Sequence, residues 1–158
     1  MKNIKKIMFV CHGNICRSPM AEFMLKDKLS KLSLLDGFTI NSSATSGEEI
    51  YGNIGNPVYP PAKRELARHG IFADGKRAVR LKKEDYNNYD LFICMEEFNR
   101  KNALRIFSSD PENKVVLLSS FAGLNKAVDD PWYTGDFSVT FSDIDYYLNF
   151  LVERLKNE

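Results

Sequence analysis

An apolar run, Ile7–Cys11, stops at His12-Gly13-Asn14, and an amphipathic stretch opens soon after it. This junction constrains the fold more than any other feature of the chain. A short apolar run bounded by turn residues reads as a buried strand, here Lys5–Cys11. Gly13 and Asn14 are residue types that accept tight turns. Ser18 fits an N-cap or first-turn position, with Pro19 just inside the helix and Glu22 in its first turn. Ala21, Met24, Leu25, Leu29 and Leu32 then recur at helical spacing. A buried strand feeding straight into a helix is the opening half of a strand–helix–strand unit, whose crossover returns to a parallel sheet.

The remaining pattern repeats that unit. Phe38–Ala44, Leu91–Met95 and Val115–Leu118 read as further strands. Pro60 and Pro61 open a helix that stops near Gly70, and a helix covers roughly Glu97–Phe107. Ile144, Tyr147, Leu148, Leu151 and Leu155 mark a closing helix. The expected class is α/β: a four-stranded parallel sheet with helices on both faces. No repeat, linker or low-complexity block divides the 158 residues, so residues 1–158 are expected to form one domain. In such sheets ligands bind at the carboxyl ends of strands, which makes Val10–Pro19 the first place to look for chemistry.

Charge and apolar runs exclude several classes. Lys plus Arg is 22 and Asp plus Glu is 21, a net charge of +1, too balanced for a broad nucleic-acid or anionic-membrane footprint. The apolar runs are far short of the about 20 residues a membrane-spanning helix needs. Met1–Lys6 is basic, but the apolar stretch after it is too short for a signal peptide. The expected location is the cytoplasm, with export by a route that uses no signal peptide left open. Three cysteines, Cys11, Cys16 and Cys94, are no disulfide framework.

The segment Cys11-His12-Gly13-Asn14-Ile15-Cys16-Arg17-Ser18-Pro19 has the makings of an anion cradle. A strand-to-helix loop containing Gly13 and Asn14 can curl so that successive backbone N–H groups point inward. The helix start adds unpaired N–H groups and the positive end of its dipole. Arg17 can fork two donors onto two phosphoryl oxygens. The same positive features favour a thiolate at Cys11, and a thiolate beneath a bound phosphate is a nucleophile aimed at phosphorus. Cys94 and Arg100 share the Cys–Arg spacing, but their segment has no Gly and carries Glu96 and Glu97. Cys94 reads as a small buried hydrophobe in a strand.

Phosphoryl transfer from a phenol also needs an acid for the leaving oxygen and a base for the attacking water. Asp130, in Asp129-Asp130-Pro131-Trp132-Tyr133-Thr134-Gly135, is the candidate, and Trp132 and Tyr133 would wall the site. On spacing alone, Asp-Pro fits a plain turn better than a site for an acid.

The cradle with its flanks resembles the low-molecular-weight protein tyrosine phosphatase family, whose signature Cys-x-Gly-Asn-x-Cys-Arg-Ser-Pro is matched at every fixed position. The resemblance spans about Lys5 to Leu155. It implies phosphotyrosine proteins or peptides as substrates, small aryl phosphates as further substrates, a cysteinyl-phosphate intermediate, and no metal or cofactor. Phosphate and other oxyanions would inhibit, and the protein would be a monomer or weakly self-associating. Cys11 would be the nucleophile and Arg17 the clamp. Ser18 would donate to the Cys11 thiolate, and Asn14 would hold the loop's strained turn. His12, Gly13, Ile15 and Cys16 would complete the substrate cradle. The resemblance selects Asp130 over Asp129 as the acid, because the family's acid stands directly before Pro.

Other readings stay open at this stage. His69 is either a cation at a helix C-terminus or, as the resemblance suggests, a hydrogen-bond partner of Asn14. Cys16 is either packing behind the loop or a thiol that condenses with an oxidised Cys11. Glu96 stands where the family usually has Asp, so its contact is expected to lengthen or shift. Thr134 looks like a one-residue insertion. The stretch 47–61 is longer than usual and lacks the family's common Trp; Tyr51 either replaces it at the rim or is a surface residue. Lys82-Lys83-Glu84-Asp85 reads as a solvated face. Arsenate reductases would need further cysteines than Cys94. Arginine phosphatases carry Thr at the position of Ile15. A phosphopeptide-binding module would be expected to lose Cys11, Arg17 or Asp130, and all three are present.

Overall fold

A computed structural model describes residues 3–158; Met1 and Lys2, in the basic stretch considered above, lie outside the described residues. Four strands form one parallel sheet: β1 (Lys6–Cys11), β2 (Thr39–Ala44), β5 (Leu91–Cys94) and β6 (Val115–Leu117), in the order β2-β1-β5-β6. Val10 pairs with Ser43 on one side and with Cys94 on the other. The chain leaves β1 toward β2, then returns to place β5 on the opposite side of β1. The crossover loops therefore diverge above the carboxyl ends of β1 and β5, which opens a crevice there.

Side chains alternate along a strand, and the two faces of the sheet are filled differently. Ile7, Phe9 and Cys11 of β1 pack with Met20, Met24 and Leu25 of α1 (Arg17–Lys31) and with Ile144, Leu148 and Leu151 of α5 (Phe137–Lys156). Met8 and Val10 pack with Phe92, Cys94 and Tyr86, and with Ala103 and Phe107 of α3 (Glu97–Phe107). Both faces are covered, so β1 and β5 read as continuous apolar runs rather than alternating ones.

The other elements adjust the expected outline. The stripe on α1 ends at Leu29; Leu32 caps the helix and is half-exposed. Glu22 lies beyond the first turn of α1, which begins at Arg17 and has no acidic residue there. It is buried, accepting from the Ser42 hydroxyl at 2.6 Å and from Lys26 Nζ at 2.6 Å. The long 47–61 stretch holds a small antiparallel hairpin, β3 (Ile50–Tyr51) with β4 (Ile54–Gly55), which the sequence pattern does not announce. Gly55 is required by contact: a Cβ there would lie 1.9 Å from the Ala78 carbonyl oxygen. The helix α2 (Pro60–Arg68) follows, ending before Gly70 at φ +76°. The loop expected after Asp130 is a single helical turn, α4 (Pro131–Thr134), closed by Gly135 at φ +74°. Among the described residues no helix is long and apolar enough to cross a membrane.

Candidate active site

Cys11 is the last residue of β1, and α1 begins at Arg17, so residues 12–16 must turn the chain between them. Asn14 makes that turn with φ +60°, a left-handed conformation that Asn accepts better than most residues because its short side chain hydrogen-bonds locally. Both N–H donors of its amide and its carbonyl oxygen are engaged. Oδ1 accepts from the Val79 N–H at 3.0 Å, and Nδ2 donates to Ser18 Oγ at 2.8 Å and to Ser42 Oγ at 2.9 Å. The turn brings the Asn14 N–H to 3.3 Å from Cys11 Sγ.

These bonds fix a direction. The Ser42 hydroxyl spends its proton on Glu22, so it receives one from Asn14. Ser18 Oγ likewise receives a proton from Asn14, which leaves its own for Cys11 Sγ, 2.9 Å away. A buried carboxylate thus orders a chain of donors ending at the Cys11 sulfur. Lys76, which the sequence reading passed over, supports it from below: Nζ donates to the Ser42 carbonyl at 3.0 Å and lies 3.8 Å from Glu22. Burial lowers the pKa of Lys76, and the negative charges of Glu22 and Cys11 partly oppose that.

Arg17 is buried, its guanidinium held from one side. Nη1 donates to a Glu96 carboxylate oxygen and to the Val128 carbonyl at 2.8 Å. Nη2 lies 3.5 Å from Asp130 Oδ2. Burial disfavours its charge, but Cys11, Glu96 and Asp130 outweigh burial and raise its pKa above the ordinary value. With Nη1 committed to Glu96 and Val128, the Nε–Nη2 edge remains for a planar oxyanion contact. The contact at Glu96, expected to lengthen or shift, is not lengthened; Glu96 sits just beyond β5 at the N-cap of α3.

The Asp130 segment is tied to the same strand end, since the Val128 N–H donates to the Met95 carbonyl at 2.9 Å. Asp130 caps α4 by accepting from the Trp132 N–H at 3.0 Å. The cavity at the sheet's crevice is lined by Cys11 to Arg17, Glu48, Glu49, Asp130, Trp132 and Tyr133. Asp129 does not line it and is exposed. His12, Gly13, Asn14, Ile15 and Cys16 are all in that lining, whereas Ser18 lies beneath it. Cys16 packs with Ile15 and Ala78, and burial, followed by Cys11 and Asp130, pushes its thiol far up.

Two residues left with alternatives each take the one that keeps them out of the site. The Asn14 amide is bonded to Val79, Ser18 and Ser42, not to His69. His69 caps α2, accepts or donates at Glu65 with 3.0 Å between the heavy atoms, and stacks on Phe141 at 3.7 Å. Tyr51 is no rim aromatic: it is 70% exposed on β3 and absent from the lining. An aromatic the sequence reading missed is Tyr59, which does not line the cavity but packs against the lining residue Trp132, ring centroids 4.8 Å apart and tilted by 48°. Its only signal was its place before Pro60 at a helix start. Glu48 and Glu49 were missed as well, since an acidic pair in a loop reads as solvated surface. Among the described residues no cluster of His, Cys, Asp and Glu is placed to hold a metal ion.

Comparison with known proteins agrees with this geometry. A family model described as "Low molecular weight phosphotyrosine protein phosphatase" matches residues 6–158. A Schizosaccharomyces pombe protein of that description is 36% identical over 158 aligned residues, covering 95% of this chain and 96% of the relative. Among solved structures, Bacillus subtilis YfkJ superposes with a TM-score of 0.90 at 28% identity, covering 99% of this chain and 97% of that one. The low molecular weight protein tyrosine phosphatase of Streptococcus pyogenes gives 0.83 at 35% identity, with 96% and 93% covered.

Proposed function

Because the chain belongs to the low molecular weight phosphotyrosine protein phosphatase family and is a protein tyrosine phosphatase, we propose that it works through a cysteinyl-phosphate intermediate on Cys11 with Asp130 as acid and then base. The observation that supports this most is the convergence of Cys11 Sγ, the Arg17 guanidinium and the Asp130 carboxyl on one cavity. In the first step the Cys11 thiolate forms the S–P bond as the bond from phosphorus to the aryl oxygen breaks. Asp130, entering as the carboxylic acid, gives its proton to that oxygen, and the phenol leaves. In the second step water attacks phosphorus, Asp130 takes its proton, and the S–P bond breaks to return the thiolate and inorganic phosphate.

The supporting groups have distinct tasks. Arg17 and the loop N–H groups hold the phosphoryl oxygens, and charge-assisted bonds to them strengthen as negative charge spreads in the transition state. Ser18 donates to the thiolate and steadies it as the leaving group of the second step. Asn14 holds the left-handed turn. Ile15, Trp132 and Tyr133 contact the aryl ring, an apolar surround that suits phosphotyrosine. Phosphate, as product, and other oxyanions occupy the same cradle and compete with substrate.

The test is a trapping experiment. With p-nitrophenyl phosphate the leaving group needs no acid, so Asp130→Ala should form the intermediate and hydrolyse it slowly. Acid quench and peptide mass spectrometry should then find phosphate on Cys11. Phosphate on another residue, or an enzyme in which Cys11→Ser turns over normally, would refute the scheme.

A further inference from the structure

Glu48 and Glu49 share a cavity with Cys11 and Arg17, where the proposed reaction gives them nothing to do. Their placement runs against the cavity's main task. A carboxylate at the mouth of a site for a phosphate dianion repels the substrate at short range. Neither carboxylate is there by accident of a floppy loop. The Ser46 N–H donates to the His12 carbonyl at 3.0 Å, which fastens the segment to the cradle. The Asn56 N–H donates to the Glu49 carbonyl at 2.8 Å, and the Asn56 side chain donates to Glu49 Oε1 at 2.9 Å. The Glu49 stem packs on the cradle itself: its Cγ is 3.2 Å from the point a Cβ on Gly13 would occupy.

The charged groups around the pair are few. His12 Nε2 is 3.1 Å from Glu48 Oε2, so Glu48 has a partner that is cationic when protonated. The Arg80 guanidinium packs beside Gly47, 3.1 Å from the point a Cβ there would occupy. Glu49 has only the neutral Asn56 amide and, among the described residues, no ion-pair partner. One of its oxygens is held and the other is left for a ligand. Trp132, 55% exposed, and Tyr133, 85% exposed, lie in the same lining and offer flat faces for an aliphatic stem or a guanidinium.

From this arrangement we infer that Glu49, assisted by Glu48, selects phosphotyrosine sites that carry a lysine or arginine close by in sequence. The inference rests on the phosphotyrosine reading above and adds a preference to it. The cation of the flanking residue meets the held carboxylate while its neighbouring phosphate enters the cradle. A flanking Asp or Glu meets like charge instead, so the wall both attracts one class and turns away the other.

A phosphotyrosine peptide set, with Lys, Ala or Glu placed in turn at the two positions before and after the phosphotyrosine, tests this at low salt. For wild type, kcat/KM should favour Lys over Glu by about 3–10-fold at one flanking position or more. The ratio should shrink as salt screens the pair. Glu49→Gln keeps an acceptor for Asn56 but not the charge, and should collapse the ratio toward one; Glu49→Lys should reverse it. Each ratio is internal to one protein, so a general loss of activity cancels. A wild-type ratio near one at all four positions overturns the inference, as does a preference that survives loss of both carboxylates in Glu48→Gln/Glu49→Gln. Hydrolysis of p-nitrophenyl phosphate and of the Ala peptides separates these outcomes from failure of the phosphatase reading, in which neither is turned over.

Discussion

At the scale of single residues, two adjacent aspartates have different surroundings. Asp130 lies 3.5 Å from Arg17 and lines the cavity, while Asp129 faces solvent. Asp130→Ala should slow phosphotyrosine hydrolysis by about 10²–10⁴-fold, the contribution of a positioned acid. The loss should shrink for more acidic leaving groups, and Asp129→Ala should stay near wild type in the same steady-state assay. The three cysteines also part company. Burial raises the thiols of Cys16 and Cys94 well above their ordinary value. Brief treatment with iodoacetate should therefore label Cys11 alone, and inorganic phosphate should protect it; peptide mass spectrometry reads both. Peroxide followed by reductant decides the two roles left open for Cys16. If Cys16 condenses with oxidised Cys11, wild type recovers and Cys16→Ser recovers much less; if Cys16 is packing, the two recover equally.

Elements position these residues through their ends. The carboxyl end of β1 supplies Cys11, the end of β5 supplies Met95 and Glu96, and the start of α1 supplies Arg17. α4 and α5 are joined by Gly135 and by Asp136, whose side chain accepts from the Val139 N–H at 3.1 Å. Hydrogen bonds from Ser138 and Val139 hold the Asp136 carboxyl below the usual range. A carboxyl whose folded pKa is depressed contributes stability above its unfolded pKa and loses it as pH falls through the folded value. Asp136→Ala should therefore lower the melting temperature at neutral pH. The gap between variant and wild type should close on acidification below the carboxylate range. An equal gap at both pH values, measured by thermal unfolding, would show that the cap acts without its charge.

Over the whole molecule, the sheet is a rigid plate between two cores, and the site is built on its edge of diverging loops. Phe92 is fully buried in the core beneath α3, between Tyr86 and Phe107. Phe92→Ala should cost about 3–5 kcal/mol of stability by the lost transfer energy and the cavity left behind. Denaturant unfolding measures the loss. At temperatures where the variant remains folded its KM should be close to wild type, because that core lies on the face of the sheet away from Cys11.

Read along the chain, the local patterns were sufficient for much of this. Apolar runs marked β1, β5 and β6, since strands buried on both faces by apolar cores are apolar along their length. β2 reads Thr-Ile-Asn-Ser-Ser-Ala, and its polar Ser42 is buried in the hydrogen-bond network behind the cradle. Cys11, Arg17 and the loop between them were legible because a cradle made by a strand end, a left-handed turn and a helix start draws its parts from adjacent residues. Asp130 was legible only through its Pro-aromatic neighbours and a family resemblance. Its distance to Arg17 depends on how β5 and the Val128 segment pack. The hairpin at 50–55 was not legible, because its two-residue strands are held by Asn56 and Ala78 rather than by their own pattern. His69 went to Phe141 and Glu65, and Lys76 came to lie behind Asn14. Tyr59 found Trp132 across the fold. Glu22, read only as a first-turn residue, is the buried end of a donor chain. The physical reason is common to all of these. A hydrogen bond or ring contact between distant residues depends on which groups remain unpaired once the sheet has closed, and no local spacing records that. The sequence by itself determined the order of strands and helices and the contents of the cradle; the tertiary structure alone decided what stands behind the cradle and what surrounds its mouth.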